Sequence, residues 1–288
     1  MLIAIDSTNE DLAGAIVYWR LSGAVNGEDL NAALTERGLK DHTLGLPTPK
    51  RALRRTLQEY AKGEVFMRAG KGKDGGLYLV RQSIADTAGE EPEFDVWVRG
   101  HLNVAGQPKI TITGDTPAAE DMAASIVDRY WHHVFYVGTT DISAWLIKQA
   151  AVCDALSLRD TGGVYFIPRH AIDEWRRRAD ALHEQTACRV YMIPAMRTEE
   201  ALDAVLQSMI DECEAFAAAF DQEIAAGELG KRALEERAER AKTFLAKLAR
   251  YEKLLGSAAE GKLDAIRASI EAQQVAAITA ALTMEDGK

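Results

Sequence analysis

The chain predicts an α+β protein: N-terminal helices with an antiparallel β-meander, a central winged-helix-like α/β unit, and a C-terminal antiparallel helical hairpin or coiled coil. Three observations lead there. Four short runs, 64–68, 77–82, 94–102 and 109–113, are separated by glycine- and proline-bearing segments, the punctuation of a meander. From Ser157 to Met196, a Gly162-Gly163 turn enters the strand-like run Val164-Tyr165-Phe166-Ile167, followed by a helical stretch and a second strand-like run, Arg189 to Ile193. Beyond Pro194 the spacing is helical throughout.

Taken in order, Met1 to Asp6 is apolar enough for a first strand, and Asp11 to Leu21 has helical spacing. Ile3 to Thr8 is similar to the strand–Asp–small-residue turn of actin-like ATPases. That fold needs a glycine-bearing hairpin directly afterwards, which a helix at Asp11 to Leu21 would exclude. A helix from Gly27 to Arg37 is stopped by Gly38. Thr48 and Pro49 are suited to the N-cap and first position of another, running to Ala61 with Leu53, Leu57 and Tyr60 on one side. In the meander, Tyr78, Val80, Val96 and Val98 alternate with other apolar residues such as Leu77, Leu79 and Trp97, so a sheet covered on both faces is expected. Thr116-Pro117 opens a helix to about Tyr136, and Thr140-Asp141 caps the next, Ile142 to Leu156.

Leu158 and Arg159 are placed as a short partner strand before the glycine turn. Pro168 closes the strand after it, and His170 to Thr186 is a helix with Ile172, Trp175, Ala179 and Leu182 inward and Arg176, Arg177 and Arg178 mostly off that face. The following strand is expected to end at Pro194. Leu202, Leu206, Met209, Cys213, Phe216 and Phe220 form a heptad seam, and Ala241, Phe244, Leu248, Tyr251 and Leu255 form another. The first of these helices is acidic: from Thr198 to Glu228 there are nine Asp or Glu and no Lys or Arg. Lys231 to Lys253 holds eight basic against four acidic residues, so the two attract side by side, with a third helix, Lys262 to Met284, to pack on them or on another subunit. A domain at 1–196 and a helical one at 197–288 follow.

The central motif, Leu158-Arg159-Asp160-Thr161-Gly162-Gly163-Val164-Tyr165-Phe166-Ile167-Pro168 with a helix after it and an acidic amphipathic helix beyond, resembles an uncharacterised family of bacterial and phage proteins, a domain of unknown function. The resemblance implies a phage or mobile-element setting and carries over no catalytic residue.

Net charge is −10, but it is unevenly placed. Between Lys40 and Lys73 stand nine Lys or Arg against three acids. Arg51, Arg54, Arg55 and Lys62 share one stripe opposite the leucines of their helix, extended by Lys71 and Lys73 in a glycine-rich loop that lacks phosphate-loop spacing. No catalytic residue is indicated. Cys153, Cys188 and Cys213 sit in apolar patterns and predict buried reduced thiols. His132-His133 cannot jointly chelate a metal from one helix, so one buried and one exposed imidazole is expected; Asp173, Glu174, Asp180 and Glu184 among arginines predict a solvated ion-pair face. No cofactor, metal or membrane span is implied, and a cytoplasmic location is expected.

Together these readings predict a non-catalytic binding or assembly protein. Its basic N-terminal face would engage nucleic acid, weakly and without sequence preference, or a host protein, and its helical tail would make a homo-oligomer. An enzyme of unfamiliar family, processing nucleic acid or nucleotides, and an acidic inhibitor of a host factor stay open as alternatives.

Overall fold

From Leu12 to Arg20 the chain is a β-strand, not the helix that its spacing predicts. Its apolar run is buried on both faces, and periodicity alone does not separate such a strand from a buried helix. The protein is described by a computed structural model covering residues 5–63, 65–69, 76–83, 93–103, 105–113, 117–159, 162–225 and 230–286. The expected first strand falls partly outside these residues, and Ile5 and Asp6 are not in a strand.

In order the elements are β1 (Leu12–Arg20), β2 (Val25–Asn26), α1 (Gly27–Glu36), α2 (Pro49–Tyr60), β3 (Val65–Ala69), β4 (Leu77–Ser83), β5 (Glu93–Leu102), β6 (Pro108–Ile112), α3 (Pro117–Phe135), β7 (Tyr136–Val137) and α4 (Thr139–Val152). Then come β8 (Leu156–Ser157), β9 (Val164–Pro168), α5 (Ile172–Gln185), β10 (Arg189–Met196), α6 (Glu199–Ala225), α7 (Lys231–Leu255) and α8 (Asp264–Asp286). Every strand pair is antiparallel, which makes the fold α+β. Among the described residues no helix is long and apolar enough to cross a membrane.

The chain divides into two compact units, one of residues 1–20, 144–183 and 188–288 and the other of residues 21–143 and 184–187. In the first, the sheet order is β10-β1-β9-β8. The glycine-turn hairpin of the expected winged-helix-like unit is thus one edge of a sheet whose inner strand comes from the N-terminus. Its partner strand is Leu156–Ser157, two residues earlier than expected, so the preceding helix stops short of it. The strand β10 runs through Pro194 to Met196 because it is the other edge, where a missing backbone N–H can face away from the ladder. Gly14 is obligatory in β1: a Cβ there would stand 2.3 Å from the Ile167 carbonyl oxygen and 2.5 Å from the Phe166 ring.

One face of this sheet and the three C-terminal helices share a core in which Leu156, Phe166 and Ala195 meet Met209, Cys213, Leu248, Tyr251 and Ile270. The heptad residues of α6 and α7 are its centre, and Phe216 stacks on Phe244 at 4.3 Å. Ion pairs Glu212–Lys247 and Glu223–Arg237 run in opposite sequence directions, so α6 and α7 are antiparallel. The pair Glu252–Arg267 and the bond from Gln274 to the Ala238 carbonyl set α8 antiparallel to α7. Aromatic side chains that exceed a two-helix seam are absorbed by this third helix and the sheet.

In the second unit, α1 is capped by Asn26, whose side chain accepts from Glu28 N at 3.0 Å, and it is terminated by Gly38 at φ +75°. The sheet is the expected meander, β3-β4-β5-β6. The helices α2 and α3 cover one face of it with Leu53, Leu57, Ile126 and Tyr130 against Leu77, Leu79 and Val98. A bulge opposite Leu79/Val80 shifts the β4–β5 register at Trp97 and lets it join Val98 on that core. Among the described residues the other face is covered only in part: Val80 is buried at 5% and Val96 half-buried, while Phe66 is 44% exposed and Arg99 and Lys109 are exposed beside them.

Candidate nucleic-acid interface

The helix α2 begins where the sequence predicts: the Thr48 hydroxyl accepts from Arg51 N at 3.3 Å, and Pro49 occupies the first turn. Ala52, Leu53, Thr56 and Leu57 form its buried side, with Thr56 returning its hydroxyl to the Ala52 carbonyl at 3.0 Å. The opposite side therefore carries Arg51 and Arg54, both exposed, with Arg55 half-buried and Lys62 exposed just past the C-terminus.

Two of these are not available as free charges. Arg55 forks onto Asp141, Nη1 to Oδ2 at 2.7 Å and Nη2 to Oδ1 at 2.8 Å, and Arg51 Nη2 adds a third bond to Oδ1 at 2.9 Å. The hydrogen bond from Arg55 holds the Asp141 carboxyl below its ordinary range, although partial burial opposes it. Sequence reasoning places Asp141 as a cap with Thr140; in the structure α4 starts at Thr139, and the carboxylate in its first turn serves α2 instead. That partner lies 86 residues from Arg55, beyond any local pattern. Among the described residues Lys50, Arg54 and Lys62 have no ion-pair partner, while Lys71 and Lys73 lie outside the described residues.

Nearer the helix C-terminus, Glu59 accepts from Arg129 Nη2 at 2.7 Å and pairs with His133 Nε2 at 3.0 Å. The Arg129 hydrogen bond lowers the Glu59 carboxyl. The two histidines are not split into one buried and one exposed: both are half-buried, His133 through Glu59 and His132 by stacking on Tyr136 at 4.8 Å. Burial, with the Arg129 charge, lowers the His132 pKa.

The first unit holds a second polar constellation that no motif announces. Asp154 follows α4 with φ +55°, the left-handed region that Asp tolerates better than most residues. Its carboxylate accepts from Arg250 Nε at 2.6 Å and Nη2 at 2.7 Å and pairs with His170 Nε2 at 3.1 Å. Its carbonyl accepts from the Tyr251 hydroxyl at 2.7 Å. Burial pushes this carboxyl up, but the bonds from His170 and Arg250 and their charges outweigh it and hold it at about 2. Lys247 donates to the Ala155 carbonyl at 2.8 Å and to Glu212 at 2.6 Å. Asp154, Glu212 and Lys247 border a cleft of ≈ 590 Å³ lined also by Phe216 and Arg240. A carboxylate held by a guanidinium fork is a weak base; this network pins α7 to the end of α4.

Asp6, from the nucleotide-turn reading, is occupied by its own turn, accepting from Thr8 N at 2.9 Å and Thr8 Oγ1 at 2.6 Å. The strand Leu12–Arg20 removes the helix that argued against that reading, yet it pairs with β9 and β10. The expected solvated face of α5 also needs correction. Arg178 is 0% exposed and donates to Gln149 Oε1 at 2.9 Å and Glu174 Oε1 at 2.7 Å. All three cysteines are buried and unbridged. Among the described residues no group of three or more His, Cys, Asp or Glu is arranged to hold a metal ion.

A family model described as Family of unknown function (DUF6744) matches residues 12–282. No curated protein and no solved structure matches the chain.

Proposed function

We propose, for a chain that belongs to the DUF6744 family of unknown function, a role as a non-catalytic binding and assembly protein whose basic α2 face contacts nucleic-acid phosphates. The observation that carries this is the solvent side of α2, where Lys50, Arg54 and Lys62 project without partners among the described residues beside the arginines that Asp141 holds. Three such cations support weak, sequence-tolerant contact, with Kd on the order of 10⁻⁴–10⁻⁶ M at physiological salt. Log affinity falls with log salt at a slope of about −2 to −3, since each neutralised phosphate releases condensed counterion.

Fluorescence anisotropy with labelled oligonucleotides tests it. Arg54→Glu with Lys62→Glu removes the α2 contribution, weakening binding and flattening the salt slope, because both positions lie off the buried side of α2. Conversely, Asp141→Asn releases Arg51 and Arg55 and steepens the salt slope by about 1.5. Absence of binding at low salt, or an unchanged slope in Asp141→Asn, overturns the reading.

The assembly half rests on α8, where Val275 is 62% exposed and Leu282 55% exposed. Self-association through these residues is expected to show as a mass above the monomer in light scattering at high micromolar concentration, reversed by Val275→Glu with Leu282→Glu.

A further inference from the structure

We propose that the partly open face of the β3–β6 meander, around Phe66, Tyr78 and Arg99, is a stacking platform for single-stranded nucleic acid. This deepens the nucleic-acid reading of the chain and assigns it a second surface, on the side of the sheet away from α2.

Strand alternation and register decide which side chains share that face. Met67, Leu79, Val98 and Ile112 stand in one row across the four strands and belong to the core under α2 and α3. The rows of opposite parity therefore point away from it. One runs Arg68–Tyr78–Arg99–Thr111, a second holds Phe66, Val80 and Val96, of which Val80 is buried, and a third pairs His101 with Lys109. Phe66 is 44% exposed between the half-buried Val65 and Met67, so its ring faces solvent by register and not by accident of a loop. The Arg99 guanidinium lies 5.4 Å from the centre of the Tyr78 ring, which holds a flat cation over an aromatic face.

The occupant follows from these chemistries together. Arg99 and Lys109 give the face two exposed cations, and among its described side chains there is no acid, so an anionic ligand is complemented. Phe66 and Tyr78 are diagonal neighbours on adjacent strands, about 7–8 Å apart at the backbone. Flat groups at that spacing, interleaved with cations, suit a chain carrying planar bases on an anionic backbone. A duplex presents phosphates but keeps its bases stacked inside, so it gains nothing from Phe66. A single strand gains from both.

The experiment measures binding of a labelled oligothymidylate and of a duplex of equal length to the full chain, for wild type, Phe66→Ala, Arg99→Gln and Arg54→Glu with Lys62→Glu. Thermal melts check folding; Phe66 is exposed, and its truncation leaves the melt unchanged. The single strand is expected to bind more tightly than the duplex, and Phe66→Ala to weaken it at least fivefold, the lower end of one lost base stack, with the salt slope unaltered. Arg99→Gln weakens it and flattens the slope by about 0.7. The α2 variant flattens the slope without removing the preference for single strands. If duplex binds as well as single strand, or Phe66→Ala has no effect while the α2 variant does, the platform is overturned and the α2 reading stands. If no nucleic acid binds at low salt, both fall.

Discussion

Replacing Asp154 by Asn isolates one charge in the network that pins α7, since Asn tolerates the φ of +55° as well as Asp does. The Asp154 carboxyl lies at about 2 against an ordinary 3.8, and its side chain is 16% exposed, so solvent screening removes little. That difference corresponds to roughly 2.5 kcal/mol of stability at neutral pH. Because the folded value is depressed, the contribution is complete above the unfolded value near 4 and is lost as pH falls towards 2. At pH 3 about half of it remains. Asp154→Asn is therefore expected to unfold roughly 5–10 °C below wild type at pH 7, and the gap to halve by pH 3. Thermal melts of both proteins at pH 7, 4 and 3 read this directly, and other carboxylates cancel in the difference. Asp154→Ala should fall about a further 1 kcal/mol through left-handed strain, and Asp154→Gly should recover that part. A gap that is the same at pH 7 and pH 3, or that is within error of zero, refutes the electrostatic account.

Gly14→Ala places a methyl group against the Ile167 carbonyl and the Phe166 ring, and a loss on the order of 3 kcal/mol is expected in urea denaturation, where a wild-type midpoint would show the contact is relaxed. Burial pushes the Cys153 and Cys213 thiols up to about 12, so in the native protein both should resist alkylation at pH 8 and react only after denaturation, as mass spectrometry of labelled peptides would reveal.

Much of the architecture is local in origin and so can be read from order alone. The Thr48 cap with Pro49, the glycine stop at Gly38, the Gly162-Gly163 turn, the meander's punctuation and the heptads of α6 and α7 are each encoded within one or two turns or one strand length. So is the basic side of α2, because helical spacing puts Arg51, Arg54 and Arg55 opposite Leu53 and Leu57 wherever the helix sits. What a residue faces was decided elsewhere. The run Leu12 to Val17 is in a strand because β9 and β10 flank it and both its faces are covered, and its helical spacing lost to those neighbours. Pro194 stays in a strand because that strand has an open edge. Arg178 is buried because Gln149 and Glu174 satisfy its guanidinium, and Asp141 neutralises two arginines from 86 and 90 residues away. Spacing along the chain reports which side of an element is apolar. Only tertiary structure reports which charge meets it, because burial of an ion depends on a partner that sequence order does not place nearby.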